Sequence, residues 1–459
     1  MKTSRFEGKY LYRGICALIL MAIAGGTFMY VWIRAVDEFV IIRTETTHLR
    51  GPGNRGMSLI IYLSIYFIIG QWIRAFKIGV ERTSNIAASQ VMTLFMTDLA
   101  ETFVSMAVTG WWRLWKDFLG EYAVLWLVQS VIMVTVSVLM IRLYRVLFPP
   151  IDIIEIYGRK NGLFSKMNNL SFKYHVSETI FADEYSTADI MDRIQAHEAV
   201  LINDLAAEKR NEILKSCFDQ DKRVYIVPKI SDVIMKSSED LNLFDTPMFL
   251  CRNNEISLWQ RFLKRTMDIV MSLLALIVLS PILLITGILI RLEDGGSVFY
   301  RQERVTEGGR RFQIFKFRSM RMDAEADGKP HPAGEEDERI TKVGRVIRSC
   351  RIDELPQLIN IIKGDMSIVG PRPERVEHVE KYTEEIPEFE FRLKVKGGLT
   401  GYAQVYGKYN TSALDKLKLD LTYITNYSLL TDIQIIFETV KILFLSESTE
   451  GFSKEEKKN

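Results

Sequence analysis

The chain has 459 residues, which is enough for two or three domains rather than one. Its formal net charge of +2 gives no global attraction to nucleic acid or to a membrane surface, and we expect no nucleic-acid partner. The 4 cysteines are scattered, with no CxxC pair and no histidine at metal-ligand spacing, which argues against a structural zinc site and a disulfide framework.

The first third of the chain contains four apolar segments near the roughly 20 residues that span a bilayer as a helix. The first is not a cleavable signal peptide, because it lacks a small-residue cleavage site and further segments follow. The third contains Asp98 and Glu101, and acids at that depth usually face a bundle interior, so a packing role is favoured over transport. The segments lie at 14–33, 57–73, 88–111 and 122–141.

Basic residues predict the orientation of these segments. If the segments alternate across the membrane, three basic clusters fall on one side, which the positive-inside rule makes cytoplasmic. Both termini are therefore expected in the cytoplasm. Arg43, Arg50 and Arg55 weaken this asymmetry without reversing it. The clusters consist of Lys2, Arg5, Lys9, Arg13, Arg74, Lys77, Arg82, Arg142 and Arg145.

The middle of the chain alternates short apolar runs with polar helical stretches. The runs at 151–158, 199–204 and 223–228 predict parallel strands, and the stretches between them predict helices, so we expect a small α/β unit. The turn at 158–162 lacks the GxGxxG pattern that brings a backbone against pyrophosphate. Nucleotide binding is therefore the minority interpretation here, and a regulatory or spacer module is favoured.

A fifth apolar run, at 269–290, has charged residues on both sides and is interrupted by Ser280 and Pro281. Proline removes a backbone hydrogen bond and kinks or breaks a helix. Ser280 can supply a partner for the freed backbone group. The sequence alone slightly favours a kinked transmembrane helix, whereas a helix that bends here and returns would leave the remaining chain inside the cell.

Alternating aromatic and basic residues at 315–318 predict a strand with one cationic face, which for a lone strand is usually a solvated face. The densest group of charges, glycines and prolines follows at 351–374, "RIDELPQLINIIKGDMSIVGPRPE". Pro356 suits a first helical turn and Gly364 suits a helix C-terminus, so we predict a helix over 356–363.

Asp353 and Glu354 immediately precede that helix. Free N–H groups and the helix dipole there favour anions, which should keep Asp353 ionised and favour a phosphate beside it. A division of roles between the two acids is sensible, in which one acts as nucleophile or metal ligand and its neighbour handles a second substrate. Arg348 and Arg372, the latter between two prolines, offer bidentate contacts to phosphate. The ordinary alternative is a capped helix with spare charge, but the whole cluster favours a phosphate site.

These residues resemble the monotopic phosphoglycosyl transferases of bacterial polysaccharide synthesis. The large members of that family imply a membrane α plus α/β fold, with four transmembrane helices over 1–149 and a Rossmann-like domain over 150–255. They also imply a catalytic domain over 256–459 that has a re-entrant membrane hairpin at 265–292. The resemblance is strongest over 257–445 and rests on six motifs in family order, "KRTMD", "SP", "VFYRQERV", "FKFRSM", "DELPQLINIIKGDMSIVGPRPE" and "GLTGYAQVYG".

The resemblance implies transfer of a hexose 1-phosphate from a UDP-sugar to a polyprenol phosphate such as undecaprenyl phosphate, with release of UMP. The reaction would be a two-step, ping-pong process with Mg²⁺, and would initiate exopolysaccharide, capsule or O-antigen synthesis. Asp353 would attack the β-phosphate and form a phosphosugar–aspartate intermediate. Glu354 would assist the polyprenol phosphate step, and both acids would organise the metal. The enzyme would lie in the bacterial inner membrane with its catalytic domain in the cytoplasm.

The same resemblance makes Ser280 and Pro281 the break of the re-entrant hairpin, which reverses the preference for a full span. The segment 413–444 has the amphipathic pattern of helices lying along the membrane surface, although core-facing helices are the equal alternative. The resemblance assigns substrate or phosphate contacts to Lys316, Arg318, Arg348, Arg372 and Gln404.

Gly397 stands where many family members have proline, which weakens the expected rigidity of its loop. A homodimer is what the large members suggest, and the sugar is not identified. A non-catalytic membrane scaffold that recruits later enzymes is the alternative function, and the acid and arginine cluster argues against it. A transporter that uses Asp98 and Glu101 is weakened because four spans without a repeat are few for that task.

Overall fold

The chain divides into two compact units, Met1–Val227 and Pro228–Asn459. The coordinates are a computed structural model. Arg43, Arg50 and most of the turn at 158–162 lie outside the described residues. The structure describes residues 2–34, 52–158, 167, 170–243, 245–251, 256–322, 324, 337–407 and 411–443.

Four helices form the N-terminal bundle of the first unit, as the sequence predicts, and a 3₁₀ turn at Trp112–Leu114 joins the last two. Among the described residues, four helices are long and apolar enough to cross a membrane: Glu7–Arg34, Thr83–Thr109, Trp112–Leu147 and Leu258–Asp294. The second bundle helix does not meet that measure. The bundle helices are Lys2–Arg34, Pro52–Trp72, Thr83–Thr109 and Trp115–Leu147.

The two acids of the third bundle helix face the interior, as predicted. Asp98 is only 2% exposed and Glu101 is fully buried. The Tyr62 hydroxyl lies 3.0 Å from Asp98 Oδ1 and 3.0 Å from Gln129 Oε1, so three helices meet at one polar contact. Phe28 stacks on the Tyr62 ring with centroids 4.1 Å apart. Aromatic packing and buried hydrogen bonds thus hold the bundle together.

The sheet of the first unit has four parallel strands in the order β2-β1-β3-β4. Three of them confirm the predicted strands, and the prediction missed β2 because it relied on continuous apolar runs, whereas the apolar residues of β2 are separated by polar ones. Helices Thr187–Ala196 and Ala207–Asp219 connect the strands, with a 3₁₀ turn at Ala182–Glu184. The Rossmann-like assignment stays a prediction. The strands are β1 Ile151–Tyr157, β2 Tyr174–Phe181, β3 Ala199–Asn203 and β4 Arg223–Ile226.

Among the described residues of the second unit there are three two-stranded sheets. Two are antiparallel and one, β9 with β10, is parallel. The strands are β5 Glu239–Leu243, β6 Thr246–Leu250, β7 Phe299–Val305, β8 Arg311–Phe317, β9 Ser367–Val369 and β10 Gly398–Thr400.

Helices surround these strands and share one apolar core with them. Val233 of the first short helix packs in this core with Phe312 and Leu358, so this helix belongs to the second unit although the predicted domain boundary is at 255. The α-helices are Ile230–Met235, Leu258–Asp294, Lys342–Ser349, Gln357–Lys363, Val376–Glu385, Tyr402–Tyr406, Ala413–Thr425 and Leu429–Leu443. The 3₁₀ segments are Glu307–Gly309, Ile352–Glu354 and Pro387–Lys394.

The long helix, Leu258–Asp294, runs through Pro281 as one helix of 37 residues instead of two helices joined by a break. A proline has no N–H to donate to the carbonyl four residues earlier, which here is that of Ile277. The Ser280 hydroxyl donates to that carbonyl oxygen at 2.7 Å. The predicted role of Ser280 as a substitute partner is therefore confirmed, although the helix stays continuous.

Both ends of the long helix make polar contacts within the second unit. Near its start, Arg265 donates to the carbonyl oxygen of Ile361 at 2.6 Å. Near its end, Glu293 Oε1 accepts from the backbone N–H of Lys342 at 2.8 Å. Between these ends most of the apolar side chains are exposed, and Val278 is 73% exposed. The helix thus presents an apolar middle that nothing covers among the described residues of its unit.

The predicted helical segment at 413–444 forms the last two helices. Leu417, Leu421 and Ile424 of the first, and Ile435 of the second, are buried in the core of the unit. Each helix therefore has a core-facing side, as the alternative interpretation expects. Their placement along a membrane surface stays a prediction.

Candidate active site

The site helix, Gln357–Lys363, confirms the predicted helix to within one residue. Pro356 precedes it and Gly364 ends it with a φ of 93°, a conformation that glycine adopts without steric cost. Upstream, Arg351 has a φ of 55°, which is uncommon for a residue with a Cβ atom. This left-handed residue lies between the helix Lys342–Ser349 and the 3₁₀ turn that carries the two acids.

Glu354 is held by two cations through a single oxygen. The Lys316 ammonium donates to Glu354 Oε1 at 2.8 Å, and Arg372 Nη2 donates to the same atom at 2.7 Å. Burial alone would raise the pKa of Glu354, but Arg372 and Lys316 outweigh it and hold that pKa well below its usual range. Glu354 is therefore a fixed anion that positions Lys316 and Arg372.

Asp353 has the opposite environment. It is half-buried, and within the described part of the chain it accepts no hydrogen bond. Burial raises the pKa of Asp353, the neighbouring charge of Glu354 raises it further, and Lys316, Arg348 and Arg372 counteract them. This direction is opposite to the one expected from the helix start, because desolvation exceeds the stabilisation of the anion. A carboxylate with no protein partner beside several cations is suited to attack phosphorus.

The loop that carries Arg372 is fixed by close backbone contacts. Gly370 N–H donates to Thr400 O and Gly398 N–H donates to Pro371 O, both at 2.9 Å. A Cβ atom on Gly398 would lie 2.1 Å from the Gly370 nitrogen, so the two loops approach too closely for a side chain there. The glycines of the "IVGPRPE" and "GLTG" motifs thus position the Arg372 guanidinium over Glu354.

Gly397, the predicted weak point of this loop, is itself engaged. Its N–H donates to Thr306 Oγ1 at 3.0 Å, a bond that a proline there would lack. A Cβ atom at this position would lie 2.5 Å from Pro373 Cγ. In this chain the loop is therefore held by a hydrogen bond and by close packing instead of by a proline ring.

The remaining predicted contact residues have different surroundings. Arg348 acts on Asp353 through charge and is half-buried. Arg318 is 7% exposed and pairs with Asp294 at the end of the long helix. It donates no hydrogen bond to either of the two acids in the described part of the chain. Gln404 lies in the helix Tyr402–Tyr406, and its buried Oε1 has no hydrogen-bond partner among the described residues. The structure therefore brings Lys316 and Arg372 to the acids, but joins neither Arg318 nor Gln404 to them.

Sequence reasoning missed the residues that tie the long helix to this loop. The Lys264 ammonium pairs with Asp432 Oδ2 at 2.7 Å and donates to Val369 O at 2.9 Å. Asp268 Oδ1 accepts from the backbone N–H of Ile368 at 2.9 Å. The available signal is the spacing of Lys264 and Asp268, because charges at i and i+4 beside an apolar run share one helix face and need buried partners.

Arg304 is a second missed residue. Its Nη1 donates to the carbonyl oxygen of Pro373 at 3.2 Å and its Nη2 donates to Gln302. Burial lowers the pKa of Arg304 to about 10, and the charge of Arg372 contributes in the same direction. A largely buried guanidinium with a second guanidinium close by is typical of a site that binds an anion.

Binding of Mg²⁺ at this site would depend on its carboxylates. No group of three or more His, Cys, Asp or Glu side chains placed to hold a metal occurs in the described ranges. Mg²⁺ is usually bound by one or two carboxylates together with phosphate oxygens and water. Asp353 fits that pattern because its carboxylate is unpaired, whereas Glu354 Oε1 already binds two cations. The residues therefore suit an ion that the substrate helps to bind.

Known proteins share the second unit. The sequence model of the family described as bacterial sugar transferase matches residues 259–446. The UDP-N-acetylgalactosamine-undecaprenyl-phosphate N-acetylgalactosaminephosphotransferase of Aeromonas hydrophila is 45% identical over 185 residues, which are 40% of this chain and 44% of that relative. The UDP-glucose:undecaprenyl-phosphate glucose-1-phosphate transferase of Escherichia coli (strain K12) is 38% identical over 230 residues, 47% of this chain and 48% of that relative.

This chain thus spans about half the length of those two relatives. The exopolysaccharide production protein ExoY of Sinorhizobium fredii is 38% identical over 200 residues, which are 40% of this chain but 87% of that relative. The chain belongs to the bacterial sugar transferase family. The region shared with these relatives contains the long helix, both acids and the interlocked glycine loops.

Proposed function

We propose that this protein transfers a sugar 1-phosphate from a UDP-sugar to undecaprenyl phosphate and releases UMP. The observation that carries the proposal is the pairing of two adjacent acids with opposite environments. Glu354 is paired with Lys316 and Arg372 through one oxygen, whereas Asp353 accepts no hydrogen bond from the described residues. The printed names of the Aeromonas and Escherichia relatives, which describe undecaprenyl-phosphate sugar phosphotransferases, support the substrate class.

The reaction proceeds in two displacements. An oxygen of Asp353 attacks the β-phosphorus of the UDP-sugar, and the bond from that phosphorus to the oxygen bridging the two phosphates breaks. UMP leaves with the bridging oxygen and its electron pair. A phosphate oxygen of undecaprenyl phosphate then attacks the same phosphorus and displaces the Asp353 carboxylate. A carboxylate nucleophile thus divides one difficult phosphoryl transfer into two easier ones.

The surrounding cations stabilise the charge that develops on the phosphate oxygens. Arg372 and Lys316 are held by Glu354, so they meet the substrate without prior reorganisation. Arg304 supports the same loop through the Pro373 carbonyl oxygen. Mg²⁺, bound by Asp353 and by diphosphate oxygens, would neutralise charge on the leaving UMP.

The long helix supports a site that lies at a membrane surface. Its exposed apolar middle suits a lipid environment, while its two ends make polar contacts with the same unit. A straight span would separate those ends by about 30 Å of hydrocarbon. We infer that this continuous helix bends around Ser280 and Pro281 and turns back within one leaflet. The second unit would then stay in the cytoplasm of a bacterial cell, against its inner membrane.

The test uses purified full-length protein with undecaprenyl phosphate, Mg²⁺ and a panel of UDP-sugars. We expect UMP release beyond one equivalent per site, with at least one sugar, only when the acceptor is present, and no UMP release at all from Asp353→Asn. Release that survives Asp353→Asn would refute the nucleophile assignment. No release with any sugar of a broad panel would favour the non-catalytic scaffold, and the panel also identifies the sugar.

A further inference from the structure

A cavity of about 210 Å³ lies in the first unit, where the ends of the bundle helices meet the sheet. Residues of the first and last bundle helices, the connection at 79–80 and the beginnings of the strands line it. It lies outside the second unit and is distinct from the site of the two acids. The family match begins only at residue 259, so it does not cover this cavity.

The lining is strongly cationic. Lys9, Arg13, Lys173 and Arg223 contribute positive charge, and none of the described residues that line the cavity is acidic. Glu81 acts on Lys173 from nearby but also pairs with an arginine outside the cavity. Four positive charges around so small a volume favour an anion there.

The lining groups differ in their roles. Arg13 is part of the framework, since its Nε donates to Ile78 O at 3.1 Å and its Nη2 donates to the Tyr144 hydroxyl at 3.0 Å. Burial lowers the pKa of Lys173, and Arg13 contributes in the same direction. Burial raises the pKa of Tyr174 and of Tyr225, so both hydroxyls stay protonated at neutral pH. The cavity therefore combines cations with neutral hydrogen-bond donors.

The position of the cavity indicates the source of an anion. Lys9 and Arg13 lie on the helical turns just before the apolar segment at 14–33, and Tyr144 lies just beyond the one at 122–141. The cavity is thus at the basic edge of the membrane-spanning bundle. Basic pockets at that level bind the phosphate head groups of anionic lipids, and tyrosine is common there.

The position of the cavity on the sheet indicates which kind of anion it would bind. The cavity is lined by Ile151 and Tyr174, which begin β1 and β2, so it lies at the amino ends of the parallel strands. Nucleotides bind open α/β sheets at the carboxyl ends. The volume is also below the roughly 300–1,000 Å³ of pockets for drug-sized ligands. Both facts favour a phosphate head group over a whole nucleotide.

We propose that this cavity binds a phosphate-bearing anion between Lys173, Arg223 and Lys9, and that a membrane lipid supplies the phosphate. Through this site the junction of bundle and sheet would respond to the lipid composition of the membrane. This proposal is independent of the sugar transferase reaction.

The test compares lipid retention in nanodiscs. Full-length protein is reconstituted in phosphatidylcholine with or without phosphatidylglycerol, and retained phosphatidylglycerol is counted by native mass spectrometry. We expect the double variant Lys173→Gln/Arg223→Gln to bind phosphatidylglycerol roughly 30-fold more weakly, from about 1 kcal/mol per basic residue. The control Arg113→Gln/Lys215→Gln removes the same charges from exposed positions of the first unit and should bind like the wild type.

A second arm separates the two sources of phosphate. Inorganic phosphate and UMP are titrated against the unfolding temperature in phosphatidylcholine alone. Stabilisation of the wild type but not of the double variant would support the site and make its ligand soluble. If the double variant unfolds early, Lys173→Gln alone gives the comparison at roughly fivefold. Equal retention of phosphatidylglycerol and equal responses to phosphate in wild type and variants would overturn the proposal.

Discussion

Asp353 and Glu354 are adjacent in the chain, yet their carboxyl groups have pKa values shifted in opposite directions. Two cations on one oxygen lower the pKa of Glu354, whereas burial raises that of Asp353. Pairs of titratable groups with diverging pKa values typically divide the chemical roles of a site between them. Here the division is between a fixed anion that organises Lys316 and Arg372 and a carboxylate left available for reaction.

Replacing Glu354 tests the organising role. Glu354→Gln removes the charge that holds Lys316 and Arg372, and leaving a mostly buried cation unpaired costs about 3 kcal/mol. We expect a lower unfolding temperature, followed by differential scanning calorimetry, and a loss of UMP release. Glu303→Gln is the control, because its exposed pair with Arg311 should cost less than about 1 kcal/mol. Equal effects of the two substitutions would show that the Glu354 contacts are energetically unimportant.

The raised pKa of Asp353 makes a prediction about stability. A carboxyl group whose folded-state pKa is raised destabilises the folded state when it ionises, so the penalty is absent below its unfolded pKa and complete above its folded pKa. Asp353→Asn should therefore abolish activity while raising the unfolding temperature at pH 7. The difference should shrink as the pH is lowered into the acid range. A variant less stable than the wild type at pH 7 would contradict the burial argument.

At the scale of elements, the long helix depends on a substitute hydrogen bond at Pro281. The Ser280 hydroxyl satisfies the carbonyl oxygen of Ile277, which Pro281 cannot do. At its two ends the helix is anchored by Lys264 and Asp268 on one side and by Glu293 and Asp294 on the other. The contacts of Lys264 and Asp268 connect the long helix directly to the strand that leads to Arg372.

A double-mutant cycle tests that hydrogen bond. Ser280→Ala should destabilise the protein by about 1 kcal/mol, because the carbonyl oxygen of Ile277 loses its partner. In the Pro281→Ala background residue 281 regains an N–H for the same oxygen, so Ser280→Ala should cost much less there. Unfolding in detergent micelles gives the four free energies. An equal cost in both backgrounds would mean that Ser280 does not compensate for the proline.

The elements with local signals could be predicted from the sequence. Pro356 and Gly364 mark the site helix, and the apolar segments mark the bundle. The contacts of the site could not be predicted in that way, because Lys316 and Arg372 reach Glu354 across 38 and 18 positions. Lys264 and Asp432 are 168 positions apart. Only the tertiary fold brings such pairs together, and it also directs Arg318 to Asp294.

At the scale of the whole molecule, the main prediction is that both ends of the long helix lie on the same side of the membrane. If the long helix re-enters, positions on both sides of it label from the cytoplasm. Leu258 and Ser297 are exposed and flank the apolar stretch, so Leu258→Cys and Ser297→Cys in a chain without its four native cysteines should both be protected from an impermeant reagent in intact cells. Gly295 and Gly308 are poorer positions for a cysteine, because both have a positive φ, which residues with a side chain rarely adopt.

Arg113→Cys, in the turn between the third and fourth bundle helices, is the matched control and should label from outside. External labelling of Ser297→Cys together with protection of Leu258→Cys would make the long helix a full span. That result would place the two acids on the side of the membrane without UDP-sugars, and the proposed reaction would fail with it.

The most direct measurement is capture of the covalent intermediate. Purified protein is mixed with the UDP-sugar identified by the panel, labelled in the sugar, without undecaprenyl phosphate. We expect UMP release that stops at one equivalent per site, with the label retained on the protein and mapped by mass spectrometry to Asp353. Adding undecaprenyl phosphate should move the label to lipid. UMP release that requires the lipid from the start, with no label on Asp353, would contradict the proposed two-step transfer.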